Sequence, residues 1–333
     1  MIKDFGAISL CILMACVIAI AASVEGVIFY GLPVILFCAV VSFVTHWIIA
    51  VPSLITSSEK YFDFTGMIAT LLVVSASMFA LLSSGEEASI RAVVVATFVS
   101  VWTLRLGIFL YKRIVKAGED RRFRDIKKSL PKFLMTWTLS ALWVFFTTVN
   151  AITIIALNPL EPVGVFFVLG TVLWLLGFGF EVVADRQKKH FSEQPENIDR
   201  FISHGLWAVS RHPNYFGEII LWTGIAIISF PLLSDWQFVT LVSPVFVFLL
   251  LTRISGLPFL EDKAEKKWGH DKGYVEYKNK TPILIPFFGK KIINKLQQVF
   301  HLQKSSKQRL LRPSQLYLVV PFQYLPMIVI RII

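Results

Sequence analysis

Long runs of apolar residues alternate with short polar stretches along the whole chain. Eight runs are long enough to cross a bilayer as helices, because an α-helix rises about 1.5 Å per residue and the hydrocarbon core is about 30 Å thick. They cover residues 5–22, 27–50, 65–82, 88–111, 133–157, 163–183, 216–233 and 236–252. The pattern predicts an all-α, polytopic transmembrane helical bundle of seven or eight spans.

The same pattern divides the chain into three predicted parts. Residues 1–87 hold the N-terminal transmembrane helices, and residues 88–289 hold the remaining spans together with the polar motifs. Residues 290–333 form a tail that is first basic and amphipathic and then apolar, with two prolines interrupting the apolar part. The tail lies on the membrane, crosses it, or has no role that one sequence can reveal.

Composition and charge agree with a membrane protein. The chain has 333 residues, of which 55% are hydrophobic, a mean hydropathy of +0.66 and a net charge of +11. Its basic residues cluster in short loops between apolar runs, where they direct topology, so nucleic-acid binding is not predicted. The three cysteines all lie within apolar runs, and neither a disulfide framework nor a metal site is predicted. Glycine-rich dinucleotide loops and Walker motifs are absent, so a nucleotide site here is not of the Rossmann type.

The distribution of cations predicts the orientation in the membrane. The turns at 83–87 and 158–162 carry no cation, whereas the loop after the fourth run carries Lys112, Arg113, Lys116, Arg121, Arg122, Arg124, Lys127 and Lys128. By the positive-inside rule this loop faces the cytosol, and alternation places residues 184–215 and everything after residue 253 there too. We therefore expect an integral, multi-pass protein whose cytosolic loops close a pocket, in the endoplasmic reticulum of a eukaryote or the inner membrane of a bacterium.

Residues 211–218, Arg-His-Pro-Asn-Tyr-Phe-Gly-Glu, bring a cation, an imidazole, an amide, a phenol and a carboxylate together within eight positions. Proline lacks a backbone N–H and has a fixed φ, so Pro213 suits the first position of a helix. The free N–H groups and the positive dipole end of that helix, next to Arg211, suit a phosphate. Asn214 and Glu218 are four residues apart and would present an amide and a carboxylate on one helix face. The alternative is a polar helix start at a membrane surface.

Two further groups of ionisable residues flank this stretch. Asp185 and Lys188 follow the sixth apolar run, and on a continuing helix they share a face. A basic cluster here is usually a solvated membrane-surface face, and only the helix start at Pro213 favours a phosphate site instead. Arg253 and Glu261 follow the last run, ahead of aromatic residues and prolines that suit a chain folding back over a pocket mouth. Anchoring at the membrane interface is the equal alternative.

Ionisable residues inside apolar runs are costly and therefore need a partner or a function. Arg105 lies deep in the fourth run, which favours a buried pairing or a ligand contact. Glu181 lies near the end of the sixth run, and a hydrated helix end is its alternative interpretation. His46, in the second run, is predicted to be a core histidine with satisfied hydrogen bonds.

Several of these residues fall within separated motifs that occur together in one superfamily. The motifs are Trp102-x-x-Arg105-Leu106, Glu119-Asp120-Arg121-Arg122, Gln187-Lys188 with Phe191, Gly205-Leu206-Trp207, Ser210 to Glu218, and Ser255-Gly256-x-Pro258-x-x-Glu261. On these motifs, residues 102–286 resemble the membrane-bound steroid 5α-reductase and sterol reductase superfamily, and most closely its steroid-reductase-related branch. The resemblance identifies residues 88–289 as a steroid-reductase-like catalytic membrane domain.

The resemblance implies an NADPH-dependent reductase of a carbon–carbon double bond in a sterol-like or other lipid substrate taken from the bilayer. It implies a cofactor-binding set of Asp185, Lys188, Arg211, His212, Asn214, Tyr215, Glu218 and Arg253. Within that set, Lys188, Arg211 and His212 would hold the phosphates and the ribose. Asn214, Tyr215 and Glu218 would hold the nicotinamide end, while Arg253 and Glu261 would close the site. Tyr215 and Glu261 are the candidate catalytic residues, as donors of the balancing proton.

The chain departs from the superfamily at three positions. Trp102 stands about where the steroid 5α-reductases have a catalytic tyrosine, and their catalytic glutamate does not align with Glu59 or with any other residue here. Ser192 stands where sterol reductases often have an arginine. A 3-oxosteroid substrate is therefore not implied.

A second class of enzymes shares this architecture. Isoprenylcysteine carboxyl methyltransferases and phospholipid methyltransferases also carry Arg-His-Pro-x-Tyr-x-Gly, so an S-adenosylmethionine-dependent methyltransferase of a lipid or prenylated substrate is the alternative. Asn214 and Glu218 favour the reductase, because an amide and a carboxylate can pair with a nicotinamide carboxamide. A sulfonium cation would also suit Glu218, so methyl transfer is not excluded. A non-catalytic membrane scaffold is the third hypothesis.

Overall fold

The computed structural model describes residues 2–23, 27–119, 123–160 and 162–287. In this part of the chain nearly every regular element is a helix. The α-helices are α1 (Ile2–Ala22), α2 (Val34–Ile55), α3 (Phe62–Ser83), α4 (Ile90–Ala117), α5 (Phe123–Ile126), α6 (Leu130–Leu157), α7 (Val165–Glu193), α8 (Pro213–Ser229), α9 (Val242–Leu249), α10 (Gly256–Trp268) and α11 (Lys272–Lys280). The tail at 290–333 and Asp120, Arg121 and Arg122 of the Glu-Asp-Arg-Arg motif lie outside the described residues.

A small hairpin connects α1 to α2. Its antiparallel strands are β1 (Ile28–Phe29) and β2 (Leu32–Pro33). Tyr30 and Gly31 between them both have positive φ, of 49° and 76°. Two left-handed residues in a row are what the twist of a two-residue hairpin requires.

The predicted bundle of spans is confirmed. Within the described residues, eight helical segments are long and apolar enough to cross a membrane. They are Lys3–Ala22, Val34–Ile55, Phe62–Ser83, Ile90–Ala117, Leu130–Leu157, Val165–Glu193, Pro213–Leu232 and Asp235–Trp268. The protein is therefore an integral, multi-pass membrane protein with an all-α fold.

Several helices extend beyond the apolar runs that predicted them. The sixth run was predicted to end at residue 183, whereas α7 continues to Glu193. The last segment is a composite of a 3₁₀ helix (Asp235–Leu241), α9, a π-helical turn (Leu250–Ile254) and α10. Hydropathy shows where a helix leaves the hydrocarbon core but not where its backbone hydrogen bonding ends. The end of α7 beyond residue 183 is polar, so its helical length could not be read from hydropathy.

The described residues fall into two compact units. The first holds those up to Leu176 together with Ile219–Phe248, and the second holds Gly177–Glu218 together with those from Leu249 to residue 287. The boundaries predicted at residues 87 and 289 stay predictions.

In the first unit α6 is the central helix. It contacts α1, α2, α3 and α4, and its residues Phe145, Val149 and Ile152 are fully buried. Of its most apolar stretch 83% is buried, against 22% for α1, so α6 is enclosed by protein while α1 keeps a wide apolar face exposed. Hydrogen bonds between helices add to this packing, as is usual in membranes: Ser42 Oγ donates to the carbonyl of Ala141 at 2.8 Å.

Three ionisable residues of the first unit, His46, Glu59 and Arg105, each lie close to another side chain or a backbone carbonyl. His46 is fully buried, with Nδ1 2.8 Å from the Ser42 carbonyl and Nε2 3.1 Å from Ser140 Oγ, which confirms the predicted core histidine. Glu59 is also buried, and its carboxylate lies 2.6 Å from Lys127 Nζ. The Arg105 guanidinium lies 5.5 Å from the centre of the Phe109 ring.

Candidate functional site

The polar stretch at 211–218 lies in the second unit and has the local structure that its sequence predicts. α8 begins at Pro213, so the first-position proline is confirmed. Gly217 explains how the start of α8 is held: a Cβ at this position would lie 2.5 Å from the Gly177 carbonyl oxygen and 2.6 Å from the Glu181 nitrogen. Only glycine permits this approach of α8 to the backbone of α7.

The close approach of the two helices pairs two of the predicted cofactor residues. Asn214, in the first turn of α8, donates from Nδ2 to Oδ1 of Asp185 on α7 at 3.2 Å. Asp185 is buried, with 6% of its surface exposed. The bond also fixes the orientation of the amide, because only its NH₂ group can face a carboxylate as a donor.

Glu261 of α10 joins the two residues that precede α8. Its Oε2 accepts a hydrogen bond from Arg211 Nη1, and its Oε1 lies 2.7 Å from His212 Nε2. The side chains of Arg211 and Glu261 are only 12% and 21% exposed. This partial burial strengthens charge-assisted hydrogen bonds relative to those at an open surface.

Three polar atoms of this group are buried and have no hydrogen-bond partner within the described part of the chain. They are Arg211 Nε, His212 Nδ1 and Asn214 Oδ1. Buried polar groups in proteins are nearly always paired, and leaving one unpaired is costly. Three such atoms on neighbouring residues are therefore suited to a polar ligand.

Trp207 anchors the loop before Arg211 to the end of α7. Its indole Nε1 donates to the Ala184 carbonyl at 3.0 Å, and Lys188 Nζ lies 4.6 Å from the centre of its ring. Gln187 Oε1 accepts from the backbone nitrogen of Leu206 at 2.9 Å. The polar end of α7 thus positions Lys188 beside the loop that leads to Arg211.

Both α11 and the segment after it contact residues 207–211, which agrees with the fold-back that was one of the two predicted arrangements. The backbone nitrogen of Arg211 donates to the Pro282 carbonyl at 2.9 Å, and Ser210 Oγ donates to the Leu284 carbonyl at 2.7 Å. The Tyr277 hydroxyl donates to the Trp207 carbonyl at 2.7 Å. These bonds hold the backbone on which Arg211 is presented.

A cavity of about 410 Å³ opens beside this group, within the second unit. Lys188, Arg211, His212 and Glu261 line it, together with aromatic side chains that include Trp207. Five cations and two carboxylates contribute to the lining: Lys188, Arg200, Arg211, Lys263 and Lys267, with Asp199 and Glu261. A cavity with excess positive charge and aromatic walls suits an anionic ligand that carries a flat ring.

Burial changes the acid–base properties of two groups here. It lowers the pKa of the His212 imidazole below the ordinary value of 6.5, and the nearby charges of Lys188 and Arg211 act in the same direction, against the raising effect of Glu261. Burial raises the pKa of the Tyr277 phenol above its ordinary range. These directions favour an uncharged His212 and a protonated Tyr277 at neutral pH.

The three remaining predicted cofactor residues are Tyr215, Glu218 and Arg253. Tyr215 is half-buried, and its ring is stacked on that of His212 with centroids 5.7 Å apart. Glu218 is half-buried one turn further along α8. Arg253 lies in the π-helical turn and is exposed. The cavity lining includes Lys188, Arg211, His212 and Glu261 of the predicted set, but not Asp185, Asn214, Tyr215, Glu218 or Arg253. The roles of Tyr215, Glu218 and Arg253 stay predictions.

Three cations of the cavity were not predicted from the sequence. Lys263 and Lys267 follow Glu261 on α10 and are four residues apart, so that they lie on one face of the helix. Arg200 lies in the loop between α7 and α8. The spacing of the two lysines after Glu261 was the available signal, but without a fold it is also typical of a solvated helix face.

Comparisons with known proteins point to one superfamily. A model of the family described as a protein of unknown function (DUF1295) matches residues 46–281, which include the whole site. The 3-oxo-5-alpha-steroid 4-dehydrogenase 1 of Bos taurus is 29% identical over 121 residues, or 36% of this chain and 42% of that protein. The protein of that name from Rattus norvegicus is 30% identical over 122 residues, or 36% and 41%. The matches thus span about two fifths of the length of these relatives. No solved structure matches the chain.

Proposed function

The chain belongs to the DUF1295 family, within the steroid reductase superfamily, and we propose that it is an NADPH-dependent oxidoreductase that reduces a carbon–carbon double bond in a sterol-like or other lipid substrate. The observation that carries the proposal is the group of three buried, unpartnered polar atoms on Arg211, His212 and Asn214. The relatives named as 3-oxo-5-alpha-steroid 4-dehydrogenases support an oxidoreductase acting on a steroid-like molecule.

The donor and acceptor character of these atoms fits NADPH. Arg211 Nε carries a hydrogen and therefore donates, which suits a phosphate oxygen. Asn214 directs its NH₂ group to Asp185, so its free Oδ1 is an acceptor, which suits the NH₂ of a nicotinamide carboxamide. Lys188 and the other cations of the cavity would neutralise the remaining phosphate charge.

The side chains of the site would bind and orient the reactants. NADPH, when bound, supplies a hydride to the double bond, and a proton must then reach the neighbouring carbon. Glu261 accepts hydrogen bonds from both Arg211 and His212, which favours its ionised form and a role in holding those two residues. Of the two candidate proton donors this leaves Tyr215, whose phenol carries a proton and whose ring is stacked on that of the cavity-lining His212.

We also propose that the site faces the cytosol and that the substrate enters from the bilayer. The cations of the loop after α4 support this orientation by the positive-inside rule. A sterol-like molecule dissolved among the membrane lipids could enter between the apolar spans without passing through water.

Cofactor binding by the full-length protein in detergent tests the function directly. Thermal unfolding should shift upward with NADPH, because a ligand that binds only the native state stabilises it. S-adenosylmethionine is the decisive comparison. Stabilisation by S-adenosylmethionine alone would replace the reductase with the methyltransferase, and stabilisation by neither would favour the scaffold.

Replacing Asn214 with Ala should raise the Kd for NADPH about tenfold, since one hydrogen bond to the carboxamide is lost and tenfold corresponds to about 1.4 kcal/mol. Glu218→Ala should act in the same direction. Titration of NADPH fluorescence measures both. The matched control is Asn279→Ala, which changes an exposed amide on α11. Unchanged affinity in both Asn214→Ala and Glu218→Ala would reject the assignment of these residues to the nicotinamide end.

A further inference from the structure

His212 has two ring nitrogens in very different environments. Nε2 lies 2.7 Å from Glu261 Oε1, whereas Nδ1 is buried and has no hydrogen-bond partner within the described residues. The residue as a whole is 6% exposed. The resemblance to the sterol reductases implied that His212 contacts phosphates and ribose, but it did not distinguish the two nitrogens.

The chemistry of Glu261 decides which nitrogen carries the proton. An ionised carboxylate can only accept hydrogen bonds, and Glu261 already accepts one from Arg211. The 2.7 Å contact with His212 is therefore a bond that Nε2–H donates. A neutral imidazole carries a single N–H group, so Nδ1 is left with a lone pair.

The charged and titratable groups around the ring are consistent with a neutral imidazole. Glu261 of α10 favours the protonated form, whereas Lys188 of α7 and the adjacent Arg211 oppose it. The Tyr215 ring of α8 covers one face of the imidazole. Burial and the two cations disfavour the charged imidazole, and only one carboxylate favours it. A second proton, at Nδ1, would have no acceptor among the described residues.

We propose that Glu261 fixes His212 as the Nε2-protonated tautomer, so that Nδ1 accepts a hydrogen bond from a hydroxyl or amide group of the ligand and does not contact a phosphate. Glu261 is then a positioning residue that acts through His212. For NADPH the matching donor is a ribose hydroxyl, and that identification rests on the proposed function. The tautomer itself does not, because it follows from protein contacts alone.

The tautomer can be read directly by ¹⁵N NMR of the full-length protein in detergent, labelled at histidine. A His212→Gln variant assigns the signals. We expect a protonated Nε2 and an unprotonated Nδ1 at neutral pH without any ligand. A wild-type spectrum with the proton on Nδ1, or on both nitrogens, would overturn the proposal.

Substitution of Glu261 tests its positioning role. Glu261→Gln places an amide where the carboxylate was, and its NH₂ group can donate to Nε2, so we expect the proton to move to Nδ1 and the Kd for NADPH to rise at least tenfold. Glu265→Gln is the matched control, since Glu265 is exposed one turn further along α10 and pairs with Lys278. A folded Glu261→Gln protein that keeps the wild-type tautomer would contradict the role of Glu261. If that variant does not fold, the wild-type spectrum still decides the tautomer.

The tautomer and the proposed function can fail separately. A wild-type protein that has the expected tautomer but does not bind NADPH would refute the proposed function and would leave the inference about the tautomer intact.

The pH dependence of cofactor binding provides a separate prediction. Protonation of Nδ1 converts an acceptor into a donor, so affinity should be constant at neutral pH and fall in acid. Because the pKa of His212 is lowered, the midpoint should lie below the ordinary value of 6.5. The acid-stable NADP⁺ is the suitable probe, titrated from about pH 8 to pH 5. His190→Gln, at an exposed histidine of α7, should leave the profile unchanged. Affinity that rises as the pH falls below 6.5 would indicate that Nδ1 acts as a donor and would contradict the proposal.

Discussion

Arg211→Ala should raise the Kd for NADPH about 100-fold, the largest effect that we expect from a single side chain of the site. A hydrogen bond to a charged group contributes about 1.5–3 kcal/mol, and 1.4 kcal/mol corresponds to tenfold. The substitution removes the unpartnered Nε donor and also leaves the partly buried Glu261 without one of its two donors, Arg211 and His212. Fluorescence titration of the full-length protein with NADPH measures the loss.

Two further variants separate the geometry of Arg211 from its charge. Arg211→Lys keeps the charge but not the planar arrangement of donors, so it should recover only part of the affinity. Lys266→Ala removes an exposed cation of α10 that pairs with Asp262 and lies outside the cavity lining, and its Kd should stay within about threefold of wild type, as for surface charge pairs. If Arg211→Ala binds NADPH as tightly as the wild type, Arg211 does not bind a phosphate of the cofactor.

The local structure of the site was predictable because its causes are local. A proline after Arg-His marks a helix start, and the structure begins α8 at Pro213. The apolar runs similarly predicted every span, since length and hydropathy are properties of a continuous segment. Both kinds of prediction depend on residues that are neighbours along the chain.

The contacts that assemble the site were not predictable in the same way. Arg211 and Glu261 are 50 positions apart, and no periodicity links them before the fold is known. The π-helical turn at Leu250–Ile254 is a second example. An i→i+5 turn alters the helical register, so the direction of Arg253 does not follow from the 3.6-residue period of the preceding helix. That side chain is exposed and does not reach the cavity lining.

Three separate segments hold the short stretch that presents Arg211 and His212. The end of α7 contacts it through Ala184, whose carbonyl accepts from Trp207, and through Asp185, which accepts from Asn214. The other two segments are α10, through Glu261, and α11, through Tyr277. A binding group supported from several directions has little freedom to reorganise when a ligand arrives. Such preorganisation raises affinity because less conformational entropy is lost on binding.

Gly217→Ala should lower the stability of the protein by about 1–3 kcal/mol, as overpacking of a close contact does. The new Cβ would lie 2.5 Å from the Gly177 oxygen, 2.6 Å from the Glu181 nitrogen and 3.1 Å from the Glu181 Cα. All three are backbone atoms, so no flexible side chain can move aside and the start of α8 must separate from α7. Thermal unfolding of the full-length protein in detergent measures the loss.

The displacement should also reach the site, because the first turn of α8 carries Asn214 and its bond to Asp185. NADPH binding should therefore weaken together with stability in Gly217→Ala. Gly179→Ala is the matched control on α7: a Cβ there meets nothing within 4 Å, and alanine is the better helix former by up to about 1 kcal/mol. Its stability and affinity should equal or exceed those of the wild type. Equal stability of the two variants would mean that α7 and α8 do not need glycine where they meet, and the contact would then not be what holds the start of α8 in place.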